Sequence, residues 1–355
     1  MERAAPPPSS KELIARTRPF ALQDVARSSW NLAATYAALA AAVTLAVAAP
    51  WWPLRVVGGV LEALVLIRAF ILFHDAMHGA LLPSSRWAKV LFHVQGILTL
   101  TPARIWNDTH NHHHANTARI AADSAGTFAT WTTEQWRNAS GWQRLGYAVE
   151  RHPVTILFGY VTAFLISLCL VPFVKDPKRY WTSGLALGVH VALSVALWVF
   201  FGPAVYLFAF VGPLFLAYAL GTYLFYSQHN FDEVRILPEH QWTHADSALE
   251  ASSYLRCGKV MAWFTGNIGY HHVHHLNPRI PFYRLPEAMA AIPELQHPHV
   301  TTLSPRDIAH CLRLNLWEPA LGRMVSYRDA SARAWEARTD VPARSAVSSE
   351  GHAVS

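Results

Sequence analysis

The stretch Gly266-Asn267-Ile268-Gly269-Tyr270-His271-His272-Val273-His274-His275-Leu276-Asn277-Pro278 decides how the rest of the chain is read. It contains the spacing H-x-x-H-H in His271, His274 and His275. On a helix, positions three and four apart share a face, so His271 aims where His274 and His275 aim. The two adjacent histidines diverge by about 100°, which suits two metal ions better than one. Each imidazole must be neutral to offer a lone pair, and its other ring nitrogen needs a partner to hold it. Asn267, Asn277 and Tyr270 are the neighbouring candidates for that task. Taken alone, the cluster also fits a zinc site, a protonated pH sensor or a chance run.

The same arithmetic recurs. His110, His113 and His114 repeat H-x-x-H-H, and His74 and His78 form an i, i+4 pair. A single H-x-x-x-H says little, whereas three such boxes in one apolar chain point to metal.

The chain has 355 residues, 52% of them hydrophobic, with 14 tryptophans. That is too apolar for an ordinary soluble enzyme of this size and indicates an integral membrane protein carrying a folded polar part. The net charge of +6 reads as Lys- and Arg-rich loops on the cytoplasmic side. No basic, aromatic-interleaved motif for nucleic acid is present. Three scattered cysteines, Cys169, Cys257 and Cys311, support neither a disulfide framework nor a cysteine metal site, so any metal falls to histidine.

Residues 1 to about 12, with Pro6-Pro7-Pro8-Ser9-Ser10, read as a disordered start. The first apolar run begins only near residue 31, so no signal peptide is expected. Lys11, Arg16, Arg18 and Arg27 precede it and argue for a cytoplasmic N-terminus. Spans are expected at about 31–49 and 54–73, joined by the uncharged aromatic Pro50-Trp51-Trp52-Pro53. A further pair, 183–201 and 204–226, is joined near Phe201-Gly202-Pro203. Each is close to the ~20 residues a crossing needs. Glu62 and Arg68 lie within the second span, and such charges face the protein interior. Arg68 either lines the histidine site or snorkels to the interface.

The run 90–101 is too short to cross. The run 153–174 has Arg144 and Arg151 before it and Lys175, Lys178 and Arg179 after it, so it is read as re-entrant or interfacial. Parity agrees. One shared site needs all boxes on one face, and two crossings between the second and third boxes achieve that. The expected fold is therefore all-α and integral to the membrane. Four transmembrane helices carry a cytoplasmic helical cap made from 74–182 and 227–355. The expected organisation is an N-terminal cytoplasmic segment (1–29), a membrane domain (30–325) and a largely disordered tail (326–355). Within the cap, 305–318 reads as an amphipathic helix with Ser304 as N-cap, Ile308, Leu312 and Leu316 on one face, and Pro319 as its stop.

His229, in Gln228-His229-Asn230-Phe231 just past the fourth span, lies at the level expected for His74 and is a ninth candidate. Nine imidazoles, from His74, His78, His110, His113, His114, His229, His271, His274 and His275, are too many for one metal and enough for two. Imidazole suits zinc, copper, iron and nickel alike, so ligand type does not choose. The chain lacks the pair of Glu-x-x-His motifs that marks the di-iron carboxylate bundles. A structural zinc site needs only four ligands. A transporter would place its histidines near the bilayer midplane rather than at one interface.

The boxes HDAMH, HNHHH and HHVHH, with the context GNIGYHHVHHLNPRIPFYRLPEA, resemble those of the membrane fatty acid desaturases, and most of all the bacterial acyl-lipid Δ12 type. The resemblance runs from about residue 30 to 325. It implies a non-haem centre of two iron ions held by histidines, a cytoplasmic cap and a hydrophobic tunnel for an acyl chain. His229 in QHNF resembles the extra ligand found between the fourth span and the third box. The family often has small residues between the first-box histidines; here Ala76 and Met77 stand there. The implied reaction is O2-dependent desaturation of a fatty acyl lipid, with electrons from a separate donor, a ferredoxin in a bacterial setting, at the inner (plasma) membrane. Asp75, Asp108 and Asn267 are candidates to hold ligands from behind; a capping or solvated role is the alternative for Asp108. Arg137, Arg144 and Lys259 are candidates to dock an acidic donor.

His112 and His272 lie inside boxes but outside the family spacing, and His240 and His244 sit in a polar stretch. His93, His152 and His190 read as packed or hydrogen-bonded. Trp106, Trp131, Trp136 and Trp242 line the tunnel or serve packing and interface anchoring. Two rival readings remain at this point: a hydroxylase or carotenoid or alkane oxidase on the same scaffold, and a non-enzymatic membrane metal-binding protein.

Overall fold

The computed structural model describes residues 8–119 and 127–332. The first helix, α1 (Ser10–Thr17), begins on a capping box in which Ser9 Oγ accepts the Glu12 N–H and the Glu12 carboxylate accepts the Ser9 N–H. The expected disordered start is thus ordered from Ser9 onward. Residues 1–7 and the tail from about 335 lie outside the described residues.

Asp24 caps α2 (Val25–Ala48) by accepting the Arg27 N–H, and Pro53 enters the first turn of α3 (Trp52–Met77). At about 1.5 Å per residue, 24 and 26 residues both exceed the ~30 Å of a bilayer's hydrocarbon. The two helices approach closely because Gly58 has no side chain: a Cβ there would lie 2.4 Å from the Ala46 backbone nitrogen. On α3's other side a Cβ at Gly59 would lie 2.5 Å from the Phe208 carbonyl. We expect Gly58→Leu to force α2 and α3 apart and lower stability by at least about 1–3 kcal/mol. An unchanged thermal midpoint in detergent would refute that close packing.

A third apolar run, Trp181–Gln228, is 48 residues long, about 72 Å if it were straight. It is not straight. His190 stacks on Phe210 at 5.2 Å and Trp198 meets Tyr206 at 5.6 Å, so the run folds back on itself. The turn lies at Gly202, whose φ of +84° and ψ of 170° leave helical space. Glycine is the residue that takes such a φ without strain. One arm of this hairpin, Gly212–Gln228, packs on α3, and Tyr160 ties the other arm to the segment before it by sharing a hydrogen bond with His190 Nε2 at 2.6 Å. That earlier segment, Tyr160–Lys175, has 16 residues, about 24 Å at α-helical rise. Much of the hairpin surface is apolar and exposed, including Val191, Val195, Val199, Phe200 and Phe201. A soluble monomer rarely shows so large an apolar face, whereas a lipid-facing surface requires one.

The polar part gathers at one end of these helices. It contains α4 (Arg86–Leu98), α5 (Ala103–Asn116) and several helices of five to ten residues. It also contains two small sheets that an all-α reading omits. Trp131–Thr132 pairs in parallel with Leu316–Glu318, which pairs antiparallel with Arg323–Val325. Tyr254–Arg256 pairs in parallel with Val300–Thr302. Strands of two or three residues are too short for an alternating pattern to show.

These pairings also correct the helix expected over 305–318. Ser304 does cap a helix, but that helix is Pro305–Cys311 and ends well before Pro319. Leu316 is buried on a strand opposite Val325, so distant pairing overrides a helical period that looked continuous. The main core lies behind the histidine boxes, where Phe73, Phe92, Trp106, Val273, Leu276, Ile280 and Phe282 pack with Leu13 of α1.

Candidate metal centre

Four elements deliver the nine histidines to one place. His74 lies in the last turn of α3 and His78 is that helix's C-cap. His110, His113 and His114 lie on α5. His229 caps the C-terminus of Gly212–Gln228, and His271, His274 and His275 lie on the short helix His271–Leu276. Their nitrogens fall into two groups. His74, His78, His110, His114 and His274 form one; His113, His229, His271 and His275 form the other. Within each group the nitrogens lie within 4.8 Å of one another. In both H-x-x-H-H boxes the adjacent pair is divided between the groups, as the 100° divergence of neighbouring helix positions requires.

The residues fit a pair of transition-metal ions. His74 Nδ1 lies 3.1 Å from Asp75 Oδ1, and His229 Nδ1 lies 2.8 Å from the Ala251 carbonyl. Each Nδ1 therefore carries the proton and donates it, which leaves Nε2 as a bare lone pair. Those lone pairs face others at short range: His74 to His110 at 3.1 Å, His229 to His113 at 3.1 Å and to His271 at 2.9 Å. For bonds of about 2.1 Å, ligands at right angles around one ion sit about 3.0 Å apart. His78 Nε2 is buried and without a protein partner. Donors so arranged repel one another unless a cation lies between them.

Burial enforces the neutral form. The imidazoles of His110, His113, His114, His271, His274 and His275 are pushed well below the usual histidine range, first by loss of solvent and then by one another. His229 is lowered to about 4 by burial, with the Ala251 carbonyl opposing.

The three candidates for support from behind have different fates. Asp75 is buried; one oxygen takes His74 and the other accepts the Phe282 N–H at 2.6 Å. Asn267 donates to the Phe282 carbonyl at 3.3 Å and so steadies the residue that steadies Asp75. Asp108 turns away, accepting from Arg179 at 2.7 Å and from the Tyr180 hydroxyl at 3.2 Å, and holds no histidine. Asn277 donates to Thr17, and Tyr270 packs on Tyr254. We expect Asp75→Asn to weaken metal affinity roughly 10–100-fold, the usual effect of losing a carboxylate behind a ligating histidine. Metal titration of the purified protein measures this, and unchanged affinity would remove Asp75 from the role.

The histidines set aside find other partners. His272 Nε2 lies 3.1 Å from the Leu295 carbonyl, His244 Nε2 3.1 Å from the Leu276 carbonyl, and His240 is exposed beside Gln241. Trp106 stacks on His110 at 4.2 Å and meets His74 edge-on at 5.4 Å, walling the first group. Trp242 is occupied elsewhere, donating to the Thr117 carbonyl. A cavity of about 390 Å³ opens beside the second group, lined by His113, His229, Phe128, Trp131, Phe225 and Arg151 among others.

Arg151 is the residue that charge counting misplaced. Read as a flanking loop charge, it is 1% exposed and donates to the Ala129 carbonyl, the Tyr226 hydroxyl and Asn230 Oδ1. No local pattern in the sequence announces that network. Arg68 likewise neither lines the histidine groups nor snorkels freely. It is buried and bonded to Thr35, Asn31 and the Trp263 carbonyl.

With this geometry in view, similarity to known proteins is informative. The sequence model for the fatty acid desaturases matches residues 50–306. A fatty acid desaturase of Bacillus subtilis is 33% identical over 278 residues, covering 76% of each chain. An sn-1 oleoyl-lipid 12-desaturase of Synechocystis is 24% identical, covering 69% of this chain and 70% of its own. An omega-3 fatty acid desaturase of the endoplasmic reticulum from Vigna radiata is 26% identical over 62% of this chain and 59% of its own.

Proposed function

Since the chain belongs to the fatty acid desaturase family and is an oxidoreductase of that kind, we propose that it puts a double bond into the acyl chain of a membrane lipid by O2-dependent chemistry at two irons. The observation that carries the two-metal reading is the division of nine imidazoles, seven of them buried, into groups of five and four, and the choice of iron rests on the family. The lipid-linked substrate rests on the likeness to an oleoyl-lipid 12-desaturase.

His74, His78, His110, His114 and His274 would hold one iron, and His113, His229, His271 and His275 the other. Bound there, the two irons supply the power to reduce O2 while an unactivated methylene pair is oxidised. Electrons balance: O2 takes four, two from the two C–H bonds and two from the donor, and with two further protons it leaves as two waters. The protein's share is positional. Burial keeps bulk water from seven of the nine imidazoles, and His78 and His229 are half-buried. Asp75 and the Ala251 carbonyl fix the tautomers of His74 and His229, so their Nε2 atoms stay available. The cavity beside His113 and His229 gives substrate or O2 room to reach the second group.

The same geometry supports the membrane reading. α2, α3 and the two arms of the hairpin are four crossings, which bring the α3 end and His229 back to one side. The polar part would then be a cytoplasmic cap on a bacterial inner membrane, its Lys and Arg facing inward. Residues 30–325 would form one membrane domain between a cytoplasmic lead (1–29) and a tail (326–355). A ferredoxin-type donor would dock on that cap. Arg137 and Arg144 lie together there, Arg144 donating to the Arg137 carbonyl. Turnover with an acidic donor should therefore weaken as salt rises, and salt-independent turnover would reject these two residues as the dock.

The deciding experiment compares wild type with His274→Ala in a host lacking the product, supplied with an electron donor. Fatty acids are read by gas chromatography and mass spectrometry of position-tagging adducts. A new double bond with wild type alone supports the proposal and gives its position. A new hydroxy acid would instead assign oxygen insertion on the same scaffold. Bound zinc with no lipid change would overturn the iron chemistry.

A further inference from the structure

A second cavity, about 420 Å³, lies apart from the histidine groups. It is bounded by Arg27, Trp30 and Asn31 at the start of α2, Arg68 on α3, Lys259 and Trp263 on the helix Gly258–Phe264, and the Phe282–Tyr283 segment. Its lining holds three cations and no carboxylate.

The charge is only partly compensated. Arg68 is 3% exposed, yet its donors meet only neutral acceptors: Thr35 Oγ1, Asn31 Oδ1 and the Trp263 carbonyl. A buried guanidinium bonded only to neutral groups keeps its full charge to offer an anion. Lys259 is exposed and makes no ion pair among the described residues. Arg27 pairs with Glu287 at 2.7 Å, but that carboxylate also takes Arg284 at 3.1 Å and so neutralises one of two charges. The guanidiniums are pre-positioned: Arg27 stacks on Tyr283 at 4.6 Å, and Arg68 sits between Trp263 at 4.3 Å and Phe282 at 5.2 Å.

The setting selects the anion. Arg68 precedes His74 by six residues, about 9 Å along α3, so the cavity lies where the apolar helices meet the polar part. Around it Trp30 and Trp263 are exposed, as are Leu22, Val25 and Val260. Tryptophan beside exposed aliphatic residues is what the headgroup level of a bilayer favours, and cations there attract lipid phosphate. We propose that this cavity binds the phosphate of a membrane phospholipid headgroup, held by Arg68, Arg27 and Lys259, with its acyl chains lying along α2 and α3. Lys259 then serves the membrane rather than an electron donor.

The proposal rests on the membrane reading and not on the reaction, so it is tested without turnover. Metal-loaded protein is delipidated and titrated with phosphatidylglycerol, and binding is read by native mass spectrometry. Lys259→Gln should weaken retention about 5-fold, the effect of one cation near an anionic surface, and Lys259→Glu more. Iron content should stay unchanged in both. Diacylglycerol, which lacks the phosphate, should not bind. Equal retention by wild type and Lys259→Glu would overturn the site. So would displacement by millimolar inorganic phosphate, which would show an anion site indifferent to lipid. An unchanged lipid titration with weakened equilibrium binding of an acidic ferredoxin to Lys259→Glu would overturn the site and return Lys259 to protein docking.

Discussion

On the two-iron proposal, His229→Ala should lower bound iron from two per chain toward one and reduce double-bond formation by more than about 100-fold, beyond what losing an outer partner of a ligand does. His229 is the one histidine of the nine that belongs to no box, yet the second group is built around it. Its Nε2 lies 3.1 Å from His113 and 2.9 Å from His271, and the Ala251 carbonyl aims it there. Removing it leaves three imidazoles in that group, while the other five keep their positions. His112→Ala is the matched control, because His112 sits inside the second box but in neither group. Iron by mass spectrometry and product by gas chromatography should separate the two variants. If His229→Ala kept both irons, the four-ligand group would be wrong however inactive the variant proved.

What was legible in the sequence was local. The i, i+4 and adjacent spacings in HDAMH, HNHHH and HHVHH carry their own geometry, because a helix fixes where residues one, three and four apart point. The apolar helical hairpin around Gly202 was legible for a similar reason: length, apolarity and a Gly-Pro break all lie within one stretch. What failed depended on residues far apart in the chain. Asp75 was legible as a neighbour of His74, but its second partner, Phe282, lies 207 residues away. Asp108 loses its expected role to Arg179 and Tyr180, over 70 residues away. The helix over 305–318 is cut short by strands recruited from Trp131–Thr132 and Arg323–Val325. Arg151 looked like a border charge, and Arg68 was read as lining the site or snorkelling; both are buried clamps between elements no local pattern brings together. Such residues follow from the fold and are not visible before it.

Acidification should strip metal from the protein and unfold the metal-free form below about pH 6.5, the ordinary histidine value. Outside the spans, seven imidazoles (His110, His113, His114, His229, His271, His274 and His275) are held below that value by burial. Between the folded and unfolded values the unfolded chain binds more protons, so stability rises with pH there. The contribution is fully present above about 6.5 and is lost as pH falls below it. Each such group withdraws about 1.4 kcal/mol per pH unit, and seven acting together approach the roughly 5–15 kcal/mol that holds a whole domain folded. Bound metal raises the starting stability but uses the same nitrogens, so protons compete with it directly. His299 runs the other way: Glu250 and Glu233 raise it, so its smaller contribution is present in acid and fades as pH rises. Tryptophan fluorescence melts and metal retention at pH 7.5, 6.5 and 5.5 test the balance. The midpoint should fall steeply over the last step, in the metal-free protein more than the loaded one. A midpoint flat to pH 5.5 would mean that these seven imidazoles are not packed and neutral as the two groups require.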